Sequence, residues 1–430
     1  MKKIVLFLAW ILSVNTGAQT LSLQQAIDMA LRKNFDILVS RQQADINKLN
    51  NTKGNAGMLP TVNFNGTSNV SYNNVYQKMS TANTTNKYPS QLTTDWGANA
   101  MLSWTLYDGG KMYVTKKKLT EMQALGELQY NAQVLEVIYN VVAAYFDIVR
   151  QKEELKSINE IINYNRQRAV IAQTGFNAGS LAKTELLQAQ IDMNVATENA
   201  VTQKYAISEA QKALNALLGQ DPTINIEVTD SIPPSIVPDK NEMLLKIESS
   251  NADLLTLKKQ IDVAKLAVKE AEKSNAPKIS LQGGYYLSQS TNSQGNIKND
   301  RSYGMQVGGT LSIPLYTAGE TKRKTAVAKT ELLISQYSLE SARLQISKDL
   351  ENAYNDFESQ QQLLEIEKQN YRLAKENMDI SLQRLKLGQT GSLEVHQAQE
   401  NYAQSSTRLT NFEYNLKMAE TKLKQMISGL

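Results

Sequence analysis

The side chains that most often carry chemistry are few in this chain and poorly placed for it. Histidine occurs once, at His396, in a segment of helical periodicity. Neither a Ser-His-Asp triad nor a His-rich metal site can be assembled around it, and it reads as a solvated helix surface. Cysteine is absent, which removes disulfide staples, thiolate metal ligands, a cysteine nucleophile and a lipidated N-terminal cysteine. Gly109-Gly110-Lys111 has the look of the end of a phosphate-binding loop, but Thr105 stands where the first glycine belongs and Met112 where Ser or Thr belongs. The methionines are scattered and form no paired clusters of the kind a soft-metal path uses. No acid, base and nucleophile constellation can be assembled, so catalytic residues, metal ligands and cofactors are all expected to be none, and the protein is not expected to be an enzyme.

Function must then reside in the elements themselves. Lys2 and Lys3, the apolar run Ile4 to Leu12 and a small or polar stretch to Ala18 have the three-part layout of a secretory signal peptide over residues 1–18. Its removal takes two lysines from a formal charge of +4, too small a surplus to point to nucleic acid as a partner. Beyond residue 18 no stretch approaches the roughly 18 to 20 consecutive apolar residues of a membrane helix. Any crossing of a bilayer falls to β-strands.

The chain contains two copies of one unit. Leu106-Tyr107-Asp108-Gly109-Gly110 recurs as Leu315-Tyr316-Thr317-Ala318-Gly319, Ala144-Tyr145-Phe146-Asp147 as Ala353-Tyr354-Asn355-Asp356, and Gln188-Ala189-Gln190 as Gln397-Ala398-Gln399, all at an offset of 209. Upstream, Asn34-Phe35-Asp36-Ile37 matches Asn251-Ala252-Asp253-Leu254 and Pro60 matches Pro277 at an offset of 217, so the first copy carries a longer loop between Pro60 and Leu106. The expected division is a first repeat over 19–218, a connector over 219–240 holding Pro222, Pro233, Pro234 and Pro238, and a second repeat over 241–430.

Each copy has a pair of segments alternating with period two, the mark of strands with one wet and one apolar face. The hairpins are expected at about 61–107 and 278–316. Val62, Phe64, Val70 and Tyr72 form one apolar row, and Trp96, Ala98, Ala100, Leu102, Trp104 and Leu106 the next. Ile279, Leu281, Tyr285 and Leu287 supply the third, and Tyr303, Met305, Val307, Leu311, Ile313 and Leu315 the fourth. Segments of about ten residues or more with Trp and Tyr near their ends suit tilted membrane strands. Four strands cannot close a barrel, for which about eight are needed, so the barrel is expected to be shared between chains.

Proline is missing from 111–218 and 315–430, which permits very long helices. Residues 111–176 and 320–385 each read as one helix of about 66 residues, roughly 100 Å at 1.5 Å per residue. Each turns near Gly179 or Gly388 and returns through 181–218 or 393–428, with further helices near 36–57 and 253–275. Phe357, Leu364, Tyr371, Met378 and Leu385 repeat every seven residues, as do Ile148, Leu155, Ile162, Ala169 and Phe176, which implies left-handed supercoiling. The broad polar faces suit either a plain antiparallel rod or a hollow wall wet on both sides, and the membrane-type strands decide for the wall.

These features together resemble the TolC family of outer-membrane efflux proteins. The carrying residues are the tandem repeat, Leu21-Ser22-Leu23 before Ala26 to Leu31, Leu59-Pro60 before a strand, Leu106-Tyr107-Asp108-Gly109-Gly110, and the turns Gly179 to Gln190 and Gly388 to Gln399. The resemblance implies a mainly α protomer giving four strands to a twelve-stranded trimeric barrel in the outer membrane of a Gram-negative bacterium, with its helices in a periplasmic α-barrel. It implies a homotrimer set among outer-membrane lipid, a periplasmic adaptor (membrane fusion) protein and an inner-membrane transporter as partners, and service as the exit duct of a tripartite efflux or type I secretion system. It maps the adaptor-docking tip onto Gly179 and Gly388, and the pore constriction onto Glu185 and Glu394, each six residues past its glycine. The chain departs from the family pattern at Gln188 and Gln397, where an acid can stand, and at Thr390, where an arginine can latch the entrance. The alternative is a periplasmic coiled-coil adaptor or scaffold, which would show one helical hairpin and no ten-residue lipid-facing strands.

Overall fold

A computed structural model describes residues 19–78, 85–228, 231–236 and 239–430. The expected signal peptide, 1–18, lies outside the described residues, as do 79–84 in the first hairpin and Pro238 in the connector. Strand β1 (Gln19–Leu21) runs into α1 (Leu23–Lys33) through a capping box, in which the Ser22 hydroxyl accepts from the Gln25 amide and the Gln25 side chain accepts from the Ser22 N–H. Then follow α2 (Phe35–Asn50), β2 (Thr61–Lys78), β3 (Thr85–Tyr107), α3 (Lys111–Asn177), α4 (Lys183–Leu217) and β4 (Ile226–Val228). After the connector come α5 (Lys240–Ser250), α6 (Ala252–Glu272), β5 (Lys278–Asn292), β6 (Asn299–Ser312), α7 (Glu320–Lys386) and α8 (Ser392–Met426). Helices α3 and α7 have 67 residues each, α4 and α8 have 35, and α1 and α5 have 11.

Two boundaries differ from the sequence expectation, and the connector holds a strand. Helix α2 stops at Asn50, seven residues short of 57, because Asn51 leaves the helix to meet Lys116 and Gln123, and Gly57 turns the chain at φ +77°. Strand β6 ends at Ser312, ahead of Pro314, which has no amide to donate. Within the connector, β4 pairs in parallel with β1, Gln19 opposite Ile226.

The chain packs as two compact units, each built from both sequence halves. Among the described residues the first takes in 19–42, Gln129–Leu255 and Ala342–Leu430. Among the described residues α3 is the one helix long and apolar enough by composition to cross a membrane. Its stretch Val134 to Val149 instead supplies the core here, packed with Leu21, Ala26, Ala30, Ile37, Leu214 and Ile226. The Tyr145 hydroxyl, fully buried, donates to the Leu21 carbonyl at 2.8 Å. A second cluster joins Met243 and Ile247 to Leu350, Phe357, Leu364, Leu416 and Leu423.

Two asparagines close matching corners in this unit. Asn34 Nδ2 donates to the Leu217 carbonyl at 2.8 Å while its Oδ1 accepts from the Asp36 and Ile37 amides, so one side chain ends α4 and starts α2. Asn251 Nδ2 donates to the Met426 carbonyl at 2.9 Å and its Oδ1 accepts from the Leu254 amide at 3.0 Å. Both satisfy helix-end groups that would otherwise be orphaned in the core.

The second unit, Gln43–Leu128 with Thr256–Ser341, contains an antiparallel sheet of order β2-β3-β5-β6. Its register aligns Phe64 with Ala100, Ala100 with Tyr285 and Tyr285 with Met305, which puts most of the four apolar rows on one face as the alternation predicts; at the bulge after Thr105 it is Tyr107 and not Leu106 that stands opposite Ile279, and Ile313 and Leu315 lie beyond β6. The helices of this unit are tied by Glu270, which takes the Thr115 hydroxyl at 2.7 Å and the Lys118 ammonium, and by Lys259 with Glu121 at 2.7 Å. Gly126 lets α2 approach closely: a Cβ there would lie 2.5 Å from Asn47 Nδ2.

Candidate functional site

The residues singled out by the sequence gather at two helix turns of the first unit. Helix α3 ends with Gly179 at φ +74° and the Ser180 amide bonded back to the Gly175 carbonyl at 2.8 Å, and α7 ends with Gly388 at φ +69° and the Gln389 amide bonded to the Arg384 carbonyl at 2.9 Å. Both are Schellman closures, which need a left-handed residue. Nothing lies within 4 Å of a Cβ added at either glycine, so it is the backbone angle and not crowding that requires glycine. Leu387 and Leu393 stand beside Gly388 at 70 % and 80 % exposure, an apolar rim that sequence pattern alone did not single out.

Glu185 and Glu394 are each the third residue of the returning helix, α4 and α8, where a carboxylate is favoured by the positive helix end. Their surroundings differ. Glu394 Oε1 is 2.6 Å from Arg384 Nη1, and its Oε2 accepts from the Thr390 hydroxyl. At the repeat-equivalent positions, 209 residues earlier, stand Gly175 and Leu181, whose side chain lies over Gly175 so that a Cβ there would meet Leu181 Cδ1 at 2.5 Å. The first turn is thus held by an apolar contact and the second by an ion pair. Among the described residues no basic group pairs with Glu185, and no hydrogen bond joins Glu185 to Glu394. Arg384 escaped the sequence reading, although setting the two repeats side by side would have shown a charge where the first has glycine.

Farther along the same helices, polar side chains join the first helical hairpin to the second. Arg168, 3 % exposed, meets Asp192 at 2.7 Å and donates from Nε to the Ser392 hydroxyl at 3.1 Å. His396 Nδ1 lies 3.5 Å from Asp192, so the lone histidine, read as free surface, borders a buried ion pair. Asn165 bonds the Asp192 carbonyl and Gln399, and the Tyr164 hydroxyl donates to Asp379 at 2.6 Å. Glu160 accepts from Tyr402 and Lys375. Burial pushes up the Tyr402 hydroxyl pKa, and its bond to Glu160 adds to the shift. Burial would also raise the Glu160 carboxyl, but its bonds to Tyr402 and Lys375 outweigh that and hold it below the usual range.

The second unit has an amphipathic sheet whose apolar row is exposed, and the first displays a glycine and an acid at each of its two long-helix turns, features that suit a membrane channel protomer. The whole-chain comparisons agree. Residues 26–220 and 244–429 match the outer membrane efflux protein family. The outer membrane protein TolC of Vibrio cholerae is 24 % identical over 306 residues, 70 % of each chain, and the proteases secretion protein PrtF of Dickeya chrysanthemi 20 % over 439 residues, covering 99 % of this chain and 92 % of that one. The crystal structure of the Campylobacter jejuni CmeC outer membrane channel superposes with a TM-score of 0.79 at 17 % identity, covering 95 % of this chain and 85 % of the other. The chain belongs to the outer membrane efflux protein family. It is an outer-membrane transport channel and not an enzyme.

Proposed function

We propose that three copies of this chain pool their sheets into one twelve-stranded barrel and their long helices into a periplasmic duct, which passes cargo to the exterior from an inner-membrane transporter joined by a periplasmic adaptor. The observation that carries the proposal is the sheet. Four strands are too few to close, β2 and β6 each leave an edge unpaired, and Phe64, Tyr72, Met305 and Val307 are exposed at 76 %, 71 %, 80 % and 75 %. In an outer membrane both problems vanish at once if copies join edge to edge and lipid covers the apolar face.

On this reading the turns at Gly179 and Gly388 form the tip that meets the adaptor, with Leu387 and Leu393 as its apolar contacts, and Glu185 and Glu394 line the narrow entrance. The tandem division into residues 19–218 and 241–430 makes six such turns per trimer. Relatives named for protease secretion and for toxin and drug export support a duct serving either a secretion or an efflux assembly. The deciding experiment is the mass and conductance of detergent-purified protein. A three-chain particle that opens ion-conducting pores in planar bilayers supports the trimeric duct. Protein that stays soluble without detergent and forms no pore returns the reading to a periplasmic adaptor or scaffold.

A further inference from the structure

We propose that Arg384 is a built-in counter-ion that cancels Glu394 and leaves Glu185 to set the ion preference of the entrance. The inference rests on the placement of both turns at the entrance proposed above, and it changes what that entrance contains. Counting carboxylates alone gives two negative charges per chain. The 2.6 Å contact between Arg384 Nη1 and Glu394 Oε1 reduces the sum over these three side chains to one negative charge. The pair is built, not incidental: Thr390 holds the second oxygen of Glu394, and Arg384 Nη2 reaches the Gln389 carbonyl at 3.5 Å across the turn. A guanidinium with fixed donors holds this geometry better than a lysine ammonium could.

The first turn excludes the same solution. Gly175 stands in place of Arg384 and Leu181 in place of Thr390, and the Leu181 side chain fills the space that an arginine stem would cross. Glu185 therefore has no such counter-ion, and a trimer presents three unpaired carboxylates on the first-repeat turns and three ion pairs on the second-repeat turns. Cations concentrate where net charge is left over.

The test is the reversal potential of single channels in planar bilayers under a potassium chloride gradient, with block by a trivalent cation as a second readout. Arg384→Gln should raise the cation-to-anion permeability ratio by about twofold or more and strengthen block, because Glu394 is uncovered. The double variant Arg384→Gln/Glu394→Gln removes both halves of the pair and should return both readouts to wild-type values. Arg384→Lys keeps the charge and should leave the ratio unchanged, which separates charge from any disturbance of the turn. Glu185→Gln should lose most of the cation preference. If Glu185→Gln loses it while Arg384→Gln changes nothing, the counter-ion role is overturned and the entrance reading stands. If neither variant moves either readout, the turns do not line the conducting path and both readings fall.

Discussion

Glu420 shows at residue scale how these helices keep charge inside. Its carboxylate is 1 % exposed, yet it holds Lys417 at 2.9 Å and Lys424 at 2.6 Å. Burial would raise its pKa, but the two lysines outweigh that and hold it below the usual range, and Arg408 with Ser405 does the same for buried Glu367. A carboxyl lowered on folding contributes stability that is complete above the unfolded value of about 4.3 and is lost as pH falls through the folded one. The thermal midpoint should therefore be flat through neutral pH and fall in acid below about pH 4. Glu420→Gln should cost about 1–3 kcal/mol at pH 7 and make that acid fall shallower, read by chemical denaturation across pH. Arg168→Leu should cost more, about 3–5 kcal/mol, because it strands Asp192, and Arg168→Leu/Asp192→Leu should recover much of the loss. These buried charges were invisible to a reading based on apolar spacing. In the second repeat that spacing works, since Phe357, Leu364 and Met378 are buried and Tyr371 and Leu385 pack against the cores. In the first, Leu155, Ile162 and Ala169 are only half-buried, and Ser157, Asn165, Arg168 and Ala172 take the interior.

At the scale of elements, what could be read depended on length. Period-two alternation over about ten residues or more and the absence of proline over whole helices are strong signals, and β2, β3, β5, β6, α3 and α7 fall close to where they place them, the strands running on to 14 to 23 residues. Strands β1 and β4, three residues each, carry no periodicity, and their parallel pairing joins segments about two hundred residues apart, which no local pattern reports. The two helix turns were legible through their glycines because positive φ leaves a sequence mark, whereas the Arg384 pair depends on one side chain crossing a turn. The two faces of β6 offer an element-level test. Val307→Arg, on the apolar face, should cost about 2–4 kcal/mol near the bilayer midplane and reduce the yield of membrane-inserted protein. Gln306→Arg, on the opposite face, should insert at close to the wild-type yield, as measured by heat-modifiable mobility and outer-membrane fractionation.

For the molecule as a whole, the decisive property is incompleteness. A sheet with two open edges and an apolar outer face has no stable existence alone in water, so folding, assembly and insertion should be coupled. Cross-linking in intact membranes should capture a three-chain product, and dilution in mild detergent should yield no folded single chain before the trimer unfolds. The equal helices carry a further consequence, one that concerns the gene. Between about residues 150 and 177 of α3 and its counterpart in α7, four helices run side by side with matched lengths of 67 and 35 residues. An in-frame insertion in one of them throws its seam out of step with the other three, so the reach of the helices can evolve only by concerted change at four loci or by recombination between the two halves of the reading frame. Insertions and deletions confined to one half are then expected to survive in the β-hairpins and the connector, and the eight extra residues between Pro60 and Leu106 are one that did: they lie not in a longer loop, as the repeat offsets suggest, but in longer strands, 18 and 23 residues for β2 and β3 against 15 and 14 for β5 and β6.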